Sequence, residues 1–186
     1  MERLVFDRFA LNLAAKTLKN GGVIIFPTET VYGVGGLAAS EAAVKRMYEI
    51  KKRPAGKPFQ ILISDLSQLN ELTDEVSEKA KELIAKHWPG PLTLIFKKKG
   101  GRSTIGIRMP DHPLLQQLIR LTGPLASSSA NLSGEPDPTS ADEVKIEADL
   151  LLDGDKCKFG DPSTVIDVSV DPPKVLRKGP AAAGPG

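Results

Sequence analysis

Lys51, Lys52, Arg53 and Lys57 place four cations within seven positions, interrupted by Pro54 and Gly56 and followed by Pro58. A solvated helix face would spread its lysines and continue; a proline inside the run ends the helix instead. The segment reads as a basic loop leading into a strand, where ammonium and guanidinium groups can hold a triphosphate or pyrophosphate. A plain surface charge run accounts for the same spacing. Two other segments carry polar groups where apolar runs end. Pro27-Thr28-Glu29-Thr30-Val31-Tyr32-Gly33 gathers hydroxyls, a carboxylate and a phenol, at the kind of strand end where open α/β sheets bind ligands. Threonines capping an ordinary turn is the simpler reading. Ser127 to Gly134 (SSSANLSG) offers hydroxyls and an amide suited to phosphate oxygens or a small polar substrate; Leu125 before it and Leu132 within it favour a structured turn over a linker. Arg108, Ser163 and Arg177 stand alone and say little by themselves.

Other chemistries are missing from the pattern. No G-x-x-x-x-G-K-[ST] phosphate loop occurs. Gly33, Gly35 and Gly36 lack the rest of a dinucleotide fingerprint and are expected to form a turn needing positive φ. His87 and His112 lie in different segments without metal-ligand spacing; the first suits a helix C-terminus and the second a capping turn. Cys157 sits between Lys156 and Lys158, neighbours that can lower a thiol pKa, but the expected role is structural. Cations and hydroxyls without a nucleophile or an acid–base pair suit reactions run by positioning and charge stabilisation, phosphoryl and nucleotidyl transfer among them.

The elements that must position these groups alternate between helical and strand periods. Phe9 to Leu18 has helical spacing, with Gly21 as its stop. Val23 to Phe26 is a buried strand, and Ser40 caps a helix running to about Ile50. A strand over Phe59–Ile63, helices over Asp65–Leu72 and Val76–Trp88, and strands over Leu92–Phe96 and Ile105–Met109 follow. Asp111 is expected to cap a helix with Pro113 in its first turn. Leu125 starts a short strand, Thr139 or Ser140 opens a short helix, and the stretches 150–152, 164–168 and 175–177 are late strands. Roughly seven strands and six helices interleave irregularly, which means α/β with a mixed sheet.

The chain has 186 residues, 40% apolar and 26% charged, with a net charge of +2. That fits one globular domain with a sizeable core and argues against an indiscriminate nucleic-acid binder. One cysteine allows no disulfide within the chain, and no signal sequence or 18-residue apolar run is present, so the expected location is the cytoplasm. The expected domain is 1–179, with a flexible Gly/Pro/Ala tail over 180–186.

Taken together, the clusters resemble the YrdC/Sua5 family of threonylcarbamoyl-AMP synthases, from about Phe9 to Gly179. The resemblance rests on PTETVYG (Pro27 to Gly33), K-x-R-P (Lys51 to Pro54) with Lys57-Pro58 beyond it, WPGPLT (Trp88 to Thr93), IRMPDHP (Ile107 to Pro113), SANLSG (Ser129 to Gly134), PSTVIDV (Pro162 to Val168) and VLRKG (Val175 to Gly179), seven segments in order. It implies a twisted sheet around a basic concave pocket and a reaction in which threonine, bicarbonate and ATP give threonylcarbamoyl-adenylate and pyrophosphate, for threonylcarbamoyl-adenosine in tRNA. The family's K-x-R and S-x-N tetrad falls on Lys51, Arg53, Ser129 and Asn131. By the same resemblance Arg53, Lys57, Thr104, Ser129 and Arg177 contact ATP, and Thr30, Arg108 and Ser163 surround threonine, with Tyr32 walling the pocket. Lys51, Arg53 and Lys57 are expected to offset phosphate charge, with Mg2+ entering on the nucleotide and no dedicated metal ligands.

Two-domain members continue beyond this length, so a chain ending at Gly186 resembles the short form. Asp137 stands where many members have serine near the nucleotide, and Lys178 where proline is common. A separate threonylcarbamoyl transferase is expected to take the product, and tRNA or double-stranded RNA is a candidate further partner. Two other readings fit the residues: an RNA-binding module with a concave basic face, for which the sparse aromatics argue against single-strand stacking, and a YciO-type paralogue without the activity, against which the intact S-A-N segment speaks.

Overall fold

The computed structural model describes residues 1–182. Ten strands run as β1 (Glu2–Val5), β2 (Ile24–Phe26), β3 (Gly33–Leu37), β4 (Gln60–Leu62), β5 (Leu92–Lys97), β6 (Thr104–Arg108), β7 (Leu125–Ser129), β8 (Leu150–Asp153), β9 (Thr164–Asp167) and β10 (Lys174–Arg177). Five helices, α1 (Arg8–Lys19), α2 (Glu41–Lys51), α3 (Leu66–Leu72), α4 (Glu78–His87) and α5 (Pro113–Thr122), and a short 3-10 turn at Ala141–Glu143 complete the described chain. The strands form one mixed sheet in the order β1-β8-β2-β3-β7-β4-β6-β5-β9-β10. β1 and β2 flank β8 in parallel, β4 runs parallel to β6 and β5 to β9, and the remaining pairs are antiparallel.

The helices start where short polar side chains can satisfy free N–H groups. Asp7, Ser40, Asp65 and Ser77 each accept from the first turn of the helix that follows, contacts worth about 1 kcal/mol apiece. α5 is capped by His112, whose Nδ1 accepts from the Leu115 N–H at 3.3 Å, and not by Asp111 as the sequence suggests. α2 ends at Lys52, which takes left-handed φ of 48°, two residues before Pro54.

The sheet buries both faces, unequally. On one, Leu11, Leu18, Leu115 and Ile119 of α1 and α5 pack against Phe26, Leu62, Leu125 and Leu150. This cluster contains no residue of β5, β6, β9 or β10, so that half of the face is left for something other than core. On the other face Met47 and Ile84 of α2 and α4 pack against Val34, Ile61, Leu94 and Ile107. Each fully buried leucine or phenylalanine contributes about 1.5–3 kcal/mol.

Two strands escape sequence reading. β1 is mostly exposed and short, so it carries little alternation. β3 (GVGGL) was expected to be a turn, yet its glycines are absent from the positive-φ positions and it pairs with both β2 and β7. The glycines serve close approach. A Cβ on Gly33 would lie 2.8 Å from the Phe26 ring, on Gly35 2.8 Å from the Ala126 carbonyl, and on Gly36 2.8 Å from Ala43. At the other end, Ala181 is buried and its carbonyl accepts from Thr164 Oγ1 at 2.8 Å, so packing reaches past the expected limit at 179. Positions 183–186 of the expected tail lie outside the described residues.

Candidate functional site

A cleft of about 380 Å3 opens over the uncovered half of the α1/α5 face. Its floor is laid strand by strand: Ser127 and Ser129 on β7, Gln60 on β4, Gly106 and Arg108 on β6, Thr93 and Ile95 on β5, Val165 on β9 and Arg177 on β10. Spacing by two along each strand turns all of these to one side. Thr30, Arg53, Asp137 and Ser163 close the walls. Three guanidinium groups and one carboxylate therefore face the same space.

The Ser129–Asn131 turn is held by a lysine from another segment. Lys51 is 1% exposed, and its ammonium donates to the Ser129 carbonyl, to the Asn131 carbonyl at 2.6 Å and to Asn131 Oδ1 at 3.2 Å. Ser129 Oγ donates to the same Oδ1 at 2.6 Å, and Asn131 Nδ2 to the Glu135 carbonyl at 2.5 Å. Three of the four tetrad residues thus form one hydrogen-bonded knot. Desolvation, assisted by the positive charge of Arg53 and opposed by Asp137, pushes the Lys51 pKa down to about 8. Lys51 does not line the cleft: all three ammonium protons go to carbonyl-type oxygens. Its ammonium is spent on the turn that carries Ser129 and Asn131.

Arg53 does face the cleft. Its Nε and Nη2 donate to the carbonyls of Lys57 and Pro58 at 2.8 and 2.9 Å, and it lies 5.1 Å over the Phe59 ring. Backbone and aromatic contacts thus orient the fork. Lys57 contributes its carbonyl to this brace; its side chain is exposed and outside the lining.

Arg108 is 3% exposed and bridges two places. Nη2 meets Glu29 Oε1 at 2.7 Å and Nε donates to the Gly90 carbonyl at 3.2 Å, leaving Nη1 without a hydrogen-bond partner among the described residues. Glu29 Oε2 is buried with no partner among them. Beside this pair, Thr28 Oγ1 donates to the Val31 carbonyl at 2.7 Å, so in the 2.8 Å contact between the two hydroxyls Thr30 is the donor. Thr30 then presents oxygen lone pairs to the cleft. Glu29 binds Arg108, a role no sequence pattern showed.

Ser163, 2% exposed, accepts from Arg177 Nη2 at 3.2 Å and contacts Thr93 Oγ1 at 2.8 Å. Thr93 donates to Gln60 Oε1 at 2.9 Å. Arg177 also donates through Nε to the Ser163 carbonyl at 2.9 Å, and burial lowers its pKa while Asp137 opposes that. Gln60 and Thr93 were not identified from sequence. The available signal was a lone polar residue inside the apolar stretch 59–63, and a threonine alternating with Ile95.

The cleft brings together Thr30, Arg53, Arg108, Ser129, Ser163 and Arg177, with Lys51 and Asn131 directly behind Ser129. Thr104 lies on the same strand side as Gly106 and Arg108 but is exposed and outside the lining, about 7 Å beyond Gly106 along β6. Tyr32 does not wall the cleft. It is fully buried in the cluster on the opposite face with Val34, and its hydroxyl contacts the Gly154 and Asp155 carbonyls at 3.2 Å. Strand alternation sends Tyr32 and Val34 to the side away from Gly33 and Gly35. Cys157 is buried, and desolvation raises its pKa to about 11, overriding its lysine neighbours. Among the described residues no three His, Cys, Asp or Glu side chains come together as a metal site, and no helix is long and apolar enough to cross a membrane.

Residues 16–179 match the family model Sua5_yciO_yrdC, described as telomere recombination. The chain is 43% identical over 188 residues to the threonylcarbamoyl-AMP synthase of Pyrococcus abyssi, covering 93% of this chain and 55% of the relative. It is 46% identical over 180 residues to the threonylcarbamoyl-AMP synthase of Bacillus subtilis, covering 89% and 52%. The crystal structure of P. abyssi Sua5 complexed with L-threonine superposes with a TM-score of 0.88 at 41% identity, covering 96% of this chain and 56% of that one. The chain thus spans about half the length of these curated relatives.

Proposed function

The chain belongs to the Sua5/YciO/YrdC family, and from that premise we propose that it is an L-threonylcarbamoyl-adenylate synthase. The observation carrying this reading is the convergence on one cleft of Arg53, Arg108 and Arg177 with Thr30, Ser129 and Ser163. All the substrates are anions or carry one: a triphosphate, an amino-acid carboxylate and bicarbonate. A site built from guanidinium groups and hydroxyls suits them, and no covalent nucleophile is required.

In this reading the threonine carboxylate takes the free Nη1 side of Arg108, near Ser163, and its amine meets the lone pairs of Thr30. The amine nitrogen attacks the bicarbonate carbon; a carbamate forms, and one water leaves with the amine proton. A carbamate oxygen then attacks the α-phosphorus of ATP and pyrophosphate departs. Arg53 and Arg177 offset charge on the phosphates, with Lys57 and Thr104 at the exposed rim. Lys51 and Asn131 hold Ser129 in place. Mg2+ would enter as the ATP complex and neutralise phosphate charge. A threonylcarbamoyl transferase acting on tRNA in the cytoplasm would consume the product.

Pyrophosphate release from Mg2+–ATP is the test. Release that needs both threonine and bicarbonate, with serine a poorer substitute, is expected. Folded protein that releases none under any combination overturns the reading and favours the paralogue or RNA-binding alternative.

A further inference from the structure

The hydrogen-bond chain that starts at Arg177 has a direction set by its protons. Arg177 has only N–H donors, so Ser163 Oγ accepts from it at 3.2 Å. Thr93 Oγ1 donates to Gln60 Oε1 at 2.9 Å and therefore accepts from Ser163 across their 2.8 Å contact. The relay consumes every hydroxyl proton and ends on the Gln60 carbonyl oxygen. With the amide in this rotation, its NH2 group is turned the other way and has no hydrogen-bond partner among the described residues, while Gln60 lines the cleft.

Gly106 lets this arrangement exist. β6 lies between β4 and β5, so Gln60 and Thr93 must meet over it. A Cβ on Gly106 would already touch Thr93 Cγ2 at 3.5 Å and Gln60 Cβ at 3.7 Å; any longer side chain would occupy the bridge itself. The position of Gln60 is also informative. Ile61 pairs with Ile107 and Leu62 with Arg108, so Gln60 stands beside Gly106, in the row between Arg108 and Thr104. Under the function proposed above, the amino acid lies at the Arg108 row and the nucleotide reaches the Thr104 row. The group between them is the one-carbon unit that joins the two.

We propose that the Gln60 amide Nε2 is the donor that binds the one-carbon oxyanion, bicarbonate first and the carbamate carboxyl afterwards. The inference rests on the synthase reading. A neutral donor suits this position, because the oxyanion must be held and then released to attack phosphorus, and a cation at this point would trap it as a tight ion pair.

The experiment compares Gln60→Glu and Gln60→Met with the wild-type chain. Glutamate can still accept from Thr93 but replaces both N–H donors with negative charge; methionine keeps the length without polar atoms. The apparent KM for bicarbonate is measured from pyrophosphate release, and threonine and ATP affinities by calorimetry. Expected is a rise of tenfold or more in the bicarbonate KM for both variants, larger for glutamate, with threonine and ATP affinities changed less than threefold. An unchanged bicarbonate KM in either folded variant, or an equal loss of threonine affinity, overturns the assignment of Gln60 while leaving the synthase reading intact. A wild-type chain without bicarbonate-dependent release overturns both.

Discussion

Lys51 and Asn131 are bound to each other at two points: the lysine ammonium donates to the asparagine backbone carbonyl at 2.6 Å and to its Oδ1 at 3.2 Å. The last residue of α2 thereby sets the turn that follows β7, and Ser129 Oγ shares the same asparagine oxygen. Tetrad residues from two distant segments act as one mechanical unit. That relationship makes Lys51 a positioning residue and gives it a pH signature.

Lys51→Met strips the donor from three carbonyl-type oxygens, two of them on Asn131. A loss of about 2–3 kcal/mol in unfolding free energy is expected, read as a lower urea midpoint at unchanged slope, together with a fall in turnover. The folded pKa of about 8 lies below the ordinary lysine value of about 10.4, so unfolding takes up a proton between them. Stability contributed through this group therefore rises with pH across that window and is lowest below it; the slope disappears in Lys51→Met. Turnover at saturating substrates should decline above pH 8, as one N–H donor to the turn is lost. A flat profile would count against the positioning role.

Arg53 faces the cleft with its fork braced by the Lys57 and Pro58 carbonyls. If its free N–H groups meet charge that develops as pyrophosphate leaves, Arg53→Ala lowers kcat and kcat/KM together, by about 100-fold. Lysine at this position restores little, because it cannot keep the brace and the ligand at once. Steady-state kinetics with unchanged turnover in Arg53→Ala would refute the assignment.

The Glu29–Arg108 pair is buried on both sides, with side chains 6% and 4% exposed. Glu29→Gln removes the counter-charge and is expected to cost about 3 kcal/mol of stability, measurable by urea denaturation. Arg108→Lys keeps the charge but cannot serve Glu29, the Gly90 carbonyl and a ligand carboxylate together. Its threonine KM should rise about tenfold or more, while ATP affinity measured by calorimetry stays near wild type.

Asp137 is the one carboxylate lining the cleft among the described residues, and its charge acts on Lys51 and Arg177. Beside a bound phosphate it repels. Asp137→Ser should tighten binding of metal-free pyrophosphate by about 3–10-fold at low salt, and the gain should shrink as ionic strength rises. Weaker binding in a calorimetric titration would show that the carboxylate supports the site through its cations.

The chain order of the polar segments was legible in the sequence because each sits at the end of an apolar run, and ends of strands are where a folded sheet can leave groups unburied. Those segments pointed to Thr30, Arg53 and Ser129, whereas Arg108, Ser163 and Arg177 stand alone in the chain and were placed only by the family resemblance. β3 was not legible. Its three glycines look like a turn when only φ freedom is considered, and only the Phe26 ring, the Ala126 carbonyl and Ala43 reveal that they make room. Tyr32 was misplaced for a related reason: residues adjacent in a strand face opposite sides, and which side is the cleft depends on where α1 and α5 stop covering the sheet.

By itself the sequence determined the local chemistry: which residues carry charge or hydroxyls, where helices begin and end, and which faces must be apolar. The tertiary structure decided which of those groups meet. Lys51 reaches Asn131, Glu29 reaches Arg108, and Gln60 reaches Thr93 across Gly106, all between segments far apart in the chain. Hydrogen-bond partners at such separations follow from strand order and register, and those emerge from the packing of the whole sheet, for which no single segment carries the instruction.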